Sequence, residues 1–83
     1  MADIQKQTIV VADNDPDFLK WVEKHLEAKS LDFHTTSSAD EALELFKKHD
    51  ADLLIAEFHL QPIDGVALLK KVRHTKPNAM VIL

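Results

Sequence analysis

At 83 residues, the chain has room for one domain, which we expect to occupy residues 1–83. It has no cysteine, which excludes disulfide bonds and cysteine-based zinc sites, and its net charge of −4 argues against nucleic acid or an anionic membrane as the main partner. No apolar run approaches the ~18 residues of a membrane helix and no signal peptide is visible, so we expect a cytoplasmic protein.

The first half of the chain alternates strand and helix patterns. Residues 8–13, TIVVAD, form the β-branched run typical of a strand that is buried on both faces of a parallel sheet. Residues 14–29 change to helical periodicity, and Asp15 and Pro16 are suited to the N-cap and the first helical position. Residues 32–37, DFHTTS, predict a shorter and more polar strand at a sheet edge.

The second half continues the alternation. A second helix is predicted to open with Ser38 and Glu41, which match the S-x-x-E capping box. This helix covers residues 38–49, and a buried strand is predicted over 51–58. A third helix over 65–76 is ended by Pro77, and an apolar strand covers 79–83.

Each predicted helix carries one apolar face that we expect to pack on the sheet. These faces comprise Phe18, Leu19, Val22 and Leu26 in the first helix, with Trp21 and His25 at the margin, then Leu43 and Phe46 beside Ala39 and Ala42, then Leu69 and Val72.

Strands that alternate with helices of this length predict an α/β domain with a parallel sheet and right-handed crossovers. In such a sheet, ligands bind at the carboxyl ends of the strands. Asp13 and Glu57 both end strands, so they converge if those strands are neighbours. Their oxygens would suit a hard cation such as Mg²⁺. The alternative is that these acids are solvated or cap the following helices.

The segments IVVADNDPDFL, SSADEALELFKKHDADLLIAEFHLQPIDGVALLKKVR and NAMVIL resemble the receiver domain of two-component response regulators. The resemblance covers nearly the whole chain in the correct order. It implies a flavodoxin-like three-layer sandwich in which four strands lie in the order 2-1-3-4.

In that family, two acids after the first strand bind Mg²⁺, and an aspartate at the end of the third strand accepts a phosphoryl group from a histidine kinase. The resemblance places Asp13 at the first acid, Asn14 at the second, and Asp15 at the less critical position that follows. Glu57 takes the place of the acceptor aspartate. His59 falls where the family uses a backbone carbonyl as a metal ligand.

Several departures from the family pattern predict a pocket that has lost its chemistry. Glu57 carries one more methylene than aspartate, Asn14 lacks a charge, and Pro62 comes one residue later than the usual proline. The chain ends at Leu83, before the family's hydroxyl residue and its strand-five lysine. We therefore expect weak or absent Mg²⁺ binding at Asp13, Glu57 and His59.

The first interpretation is a degenerate receiver that is not an enzyme and acts as a phosphorylation-independent interaction domain, with Glu57 as a partial mimic of phosphoaspartate. Its partner would be a histidine kinase, an effector domain or another signalling protein. A working phospho-acceptor and a structural self-association module are the alternatives. We also predict a homodimer through strand 79–83, through a sheet face that the first helix covers alone, or through both. On that face, residues of TIVVAD (8–13) and LLIAEF (53–58) and part of Trp21 would be exposed.

Overall fold

The computed structural model describes residues 7–25 and 31–83. Its elements, in chain order, are β1 (Gln7–Ala12), α1 (Pro16–His25), β2 (Leu31–Thr36), α2 (Ala39–Lys48), β3 (Leu53–Ala56), α3 (Gly65–Thr75) and β4 (Met80–Ile82). The predicted order of strands and helices is confirmed, and the predicted ends that fall within the described residues differ by at most two residues. The prediction that the first helix continues over 26–29, including Leu26, lies outside the described residues.

The four strands form one parallel sheet in the order β2-β1-β3-β4. The predicted strand order is therefore confirmed, and the polar strand β2 lies at an edge as expected. Ala12 at the end of β1 is paired with Thr36 of β2 on one side and Ala56 of β3 on the other. The carboxyl ends of these three strands therefore lie at the same edge of the sheet.

One face of the sheet is covered by α2 and α3, and it holds the larger of two apolar clusters. The strands contribute alternate residues to this cluster, because side chains of a strand point to opposite faces at successive positions. Its largest fully buried members are Val10, Phe46, Leu54, Leu68 and Val72.

The other face packs against α1 alone among the described elements. Ile9 and Val11 of β1 are buried there against Val22 of α1. Exposure then rises toward the far edge of the sheet, where Met80 is 67% and Ile82 is 51% exposed. The expectation that residues of β1 would be exposed on this face is wrong, because Ile9 and Val11 pack with Val22 of α1. It holds in part for β3, where Leu53 and Ile55 are half-buried, and it is confirmed for Trp21, which is 50% exposed.

Two residues that were predicted to face inward, Phe18 and Leu69, are not fully buried. Phe18 is exposed and stacks on Trp21 along the outside of α1, with ring centroids 6.3 Å apart. In α3 the fully buried pair is Leu68 and Val72, four positions apart, while Leu69 is only half-buried. The prediction is therefore confirmed for Val72 and wrong for Leu69, because the residue four positions before Val72, and not the one three positions before it, faces the core.

The predicted helix starts are confirmed in part. The Asp15 Oδ1 accepts the Asp17 backbone N–H at 3.0 Å, and the Ser38 Oγ accepts the Glu41 backbone N–H at 3.3 Å. The second half of the predicted capping box is not formed as expected, because the Ser38 N–H donates to Thr36 Oγ1 at 3.1 Å. No helix in the ranges 7–25 and 31–83 is long and apolar enough to cross a membrane.

Candidate functional site

The two strand-ending acids lie at neighbouring positions along the carboxyl edge of the sheet. β1 and β3 are adjacent, and the Glu57 N–H donates to the Ala12 carbonyl at 2.9 Å, which extends their pairing by one residue. On the other side, the Asp13 N–H donates to the Thr36 carbonyl at 3.0 Å. The prediction that the strands carrying Asp13 and Glu57 are neighbours is confirmed.

The turn after β1 uses its acids for backbone contacts. The Asp13 Oδ1 accepts the Asp15 N–H at 2.9 Å, which tightens the turn. The Asp15 Oδ1 in turn accepts the N–H groups of Asp17 and Phe18 at the start of α1, at 3.0 and 3.4 Å. Asp15 is therefore the N-cap of α1, and one oxygen of Asp13 is already engaged within the turn.

Asn14 reaches across to the loop that follows β3. Its Nδ2 lies 2.9 Å from the backbone carbonyl oxygen of His59, a residue 45 positions away. A carbonyl oxygen can only accept a hydrogen bond, so the atom that faces it must be the amide nitrogen. The sequence predicted that these two residues flank the same pocket, but not that they bond to each other.

Glu57 is half-buried at the end of β3. Its Oε2 is shielded from solvent and has no hydrogen-bond partner among the residues that the structure describes. A buried oxygen without a donor is unfavourable, since the interactions it would make with water are lost. Glu57 therefore keeps one oxygen that no donor in the described part of the chain satisfies.

The loop from Phe58 to Asp64 is held at both flanks. The Gln61 carbonyl accepts the Ala39 N–H at the start of α2 at 2.8 Å, and the buried Leu60 anchors the loop's centre. The Asp64 Oδ1 caps α3 by accepting the Ala67 N–H at 2.9 Å. The loop with the displaced Pro62 therefore remains closely tied to both helices, which positions the His59 carbonyl toward Asn14.

Gly65, the chain's only glycine, permits the close approach of α3 to the end of β3. Its N–H donates to the Phe58 carbonyl at 2.7 Å. A Cβ at this position would lie 2.7 Å from the Glu57 carbonyl oxygen and 3.1 Å from the Phe58 Cα. The sequence located the turn at Gly65, but only the packing gives the reason that a side chain is excluded.

The oxygen atoms predicted to hold Mg²⁺ differ in what they already bind. The His59 carbonyl accepts the Asn14 amide and one Asp13 oxygen accepts a turn N–H, while one Glu57 oxygen is unpaired within the described part of the chain. Within residues 7–25 and 31–83, no three histidine or acidic side chains are grouped closely enough to hold a metal ion.

Comparison with known proteins gives a consistent result. The family model described as the response regulator receiver domain matches residues 9–83. The heme response regulator HssR of Staphylococcus aureus is 26% identical over 74 residues, which cover 89% of this chain and 33% of HssR.

Solved structures agree on the fold. The signal receiver domain of an HD domain-containing protein from Pseudomonas fluorescens Pf-5 has a TM-score of 0.86 at 23% identity, over 98% of this chain and 60% of that one. A structure of the histidine kinase ThkA in complex with the response regulator TrrA matches with a TM-score of 0.80 at 24% identity, over 90% of this chain and 65% of the matched chain.

The chain spans about one third of the length of the curated relatives and about 60% of the receiver chains just described. The family match covers the strand ends, the turn after β1 and the loop after β3, which together form the site. With three helices around a sheet of order 2-1-3-4 and that match over residues 9–83, this chain belongs to the response regulator receiver domain family.

Proposed function

We propose that this chain is a signalling module of a two-component system that acts through protein contacts and does not depend on phosphorylation at residue 57. The observation that carries this proposal is Glu57, which lies at the end of β3, where the family has its acceptor aspartate. Its side chain has one oxygen that is shielded from solvent and has no donor among the described residues.

The extra methylene of glutamate is unfavourable for phosphoryl transfer. One additional carbon–carbon bond moves the carboxylate by about 1.5 Å, and a displacement of about 1 Å is enough to cost about 100-fold in rate. Phosphoryl transfer depends on positioning and on neutralisation of charge by metal ions. The neutral Asn14 provides less of the negative charge that would hold such an ion.

The partner of this module is a signalling protein, as the kinase–regulator complex among the structural relatives suggests. The outer side of α1 supports a role in protein contact. Phe18, Trp21 and His25 stack in sequence along it, with adjacent ring centroids 6.3 and 4.7 Å apart, and all three are exposed. Exposed aromatic side chains of this kind are enriched at protein interfaces.

Incubation with acetyl phosphate and Mg²⁺ is expected to leave the intact mass of the protein unchanged. The displaced carboxylate of Glu57 and the uncharged Asn14 are the physical reasons. Intact-mass spectrometry is the measurement, with an aspartate-bearing receiver domain as the positive control for the reagent. A phosphoryl adduct on the wild-type chain that is lost in Glu57→Gln would instead establish the alternative, a working phospho-acceptor.

We also propose that the 83-residue chain forms a homodimer through β4 and the sheet face beside it. Met80 and Ile82 are exposed at the edge of the sheet, and a groove of about 360 Å³ lined in part by Ile9, Leu53 and Met80 opens on the same face. An apolar edge strand is a template for another strand. Pairing of two β4 strands across a two-fold axis would be antiparallel and would give one sheet of eight strands.

In analytical ultracentrifugation at about 100 μM, a concentration well above a micromolar Kd, the chain is expected to sediment as a dimer. Ile82→Lys should shift it to monomer, because it places a charge on the proposed interface. The matched control is Val66→Lys, which adds the same charge to the exposed start of α3 and should leave the dimer intact. A folded wild-type monomer at this concentration would rule out the dimer.

A further inference from the structure

The turn after β1 and the loop after β3 are joined by one side chain. The Asn14 amide donates to the His59 carbonyl at 2.9 Å, while the flanks of each segment are held elsewhere. The turn is tied to β2 through Asp13 and Thr36, and the loop is tied to α2 through Gln61 and Ala39. The bond between Asn14 and His59 is therefore a direct cross-link between two segments that the pairing of β1 with β3 brings side by side.

The same contact conflicts with a divalent cation at this position. Mg²⁺ takes oxygen ligands in near-octahedral geometry. Here the His59 carbonyl faces an N–H group of Asn14, which is a hydrogen-bond donor and carries partial positive charge at its hydrogens. One oxygen of Asp13 is also engaged, by the Asp15 N–H at 2.9 Å. The set of Asp13, Asn14, Glu57 and the His59 carbonyl therefore does not fit Mg²⁺.

We infer that Asn14 is a hydrogen-bonded clasp that joins the two segments in the place where a metal ion would otherwise bridge them. With the clasp closed, the geometry of the pocket around Glu57 does not depend on divalent cations. This inference rests on the proposed function in one respect, since both describe a pocket that works without Mg²⁺. It adds to that function a specific residue, Asn14, its bond to the His59 carbonyl, and the role of that bond in joining the two segments.

The clasp has a consequence for signalling. A pocket that is closed by a neutral hydrogen bond keeps one arrangement of its two segments whether or not a cation is available. The surface around Glu57 is then preformed for a partner whether or not a cation is present. Preformed sites bind without the cost of ordering their loops.

Thermal unfolding of the full 83-residue chain in EDTA and in MgCl₂ tests the clasp. The wild-type chain is expected to give the same Tm in both. Asn14→Ala should lower the Tm by about 4–8 °C in both conditions, which is the effect of losing one typical hydrogen bond in a domain of this size.

Asn14→Asp provides the decisive comparison. A carboxylate cannot donate to the His59 carbonyl and repels it, so the Tm in EDTA should fall at least as far as in Asn14→Ala. Mg²⁺ should then raise the Tm of this variant alone, because the new carboxylate supplies an oxygen ligand and leaves the carbonyl free. The control is Asn78→Asp, which makes the same change at the only other asparagine of the sequence, in the exposed turn before β4. The Tm of this control should not change with Mg²⁺.

A wild-type Tm that rises with Mg²⁺ would overturn the inference, and so would an Asn14→Ala variant as stable as the wild-type chain. The comparison of the wild-type Tm in EDTA and in MgCl₂ tests the inference even if a variant fails to fold. The outcomes also separate the two proposals. A phosphoryl adduct on Glu57 together with a Tm insensitive to Mg²⁺ would refute the proposed function but not the role of Asn14. A Tm raised by Mg²⁺ without an adduct would refute the role of Asn14 but not the proposed function.

Discussion

Replacing Phe46 by alanine is expected to lower the free energy of unfolding by about 3–5 kcal/mol. Phe46 is only 1% exposed and lies in the larger apolar cluster, where α2 packs on the sheet residues Val10 and Leu54. Removal of the ring leaves a cavity that a packed interior fills only in part. A domain of 83 residues has a total stability of about 4–12 kcal/mol, so this one change removes a large share of it.

Urea denaturation followed by circular dichroism measures this loss. Phe58→Ala is the matched control, because it deletes the same ring from a position that is 47% exposed and lies outside both apolar clusters. We expect that control to change stability by less than about 1 kcal/mol. Equal effects of the two substitutions would contradict the placement of Phe46 at the centre of the core.

The second large effect is expected at Gly65. At an early helical position, alanine is normally favoured over glycine by up to about 1 kcal/mol. Here a Cβ would lie 2.7 Å from the backbone carbonyl oxygen of Glu57, which cannot move without shifting the end of β3. We therefore expect Gly65→Ala to destabilise the domain by about 1–3 kcal/mol, as overpacking does elsewhere, so that the steric term outweighs helix propensity.

Urea denaturation gives the sign of the change in the free energy of unfolding directly. Val66→Ala serves as the control, because it changes the adjacent and exposed position of α3. That control should stay within about 0.5 kcal/mol of the wild-type chain. In addition, amide chemical shifts of Glu57, Phe58 and His59 should change in Gly65→Ala and not in the control. A stabilised Gly65→Ala variant would mean that the close approach of α3 to β3 is absent in solution.

Local patterns were sufficient for the order and type of the elements. The β-branched runs of β1 and β3, the capping residues Asp15 and Ser38, and the turn at Gly65 are each encoded within a few residues. These signals depend on backbone preferences and side-chain periodicity, which act over one or two turns of chain. The resemblance to receiver domains then supplied the strand order, which local patterns do not contain.

Burial was harder to predict, because it depends on which elements cover each other. Leu68 and Leu69 are identical in kind, and only the orientation of α3 on the sheet decides which is fully buried. Ile9 and Val11 are buried because α1 lies over β1, while Met80 and Ile82 on the same face are exposed because β4 lies at the edge. These differences arise from packing between distant segments.

The candidate site shows the same difference between what the sequence predicts and what packing decides. The resemblance to receiver domains led us to predict Glu57 at the family's acceptor position and Asn14 at the position of one of its acids, and the strand pattern predicted that both lie at one edge of a parallel sheet. Only the tertiary structure decided that the Asn14 amide bonds to the His59 carbonyl 45 residues away, and that one Glu57 oxygen is shielded without a donor among the described residues. The physical reason is that residue type defines what a side chain can donate or accept, whereas its actual partner depends on loops that only the folded sheet and helices bring together.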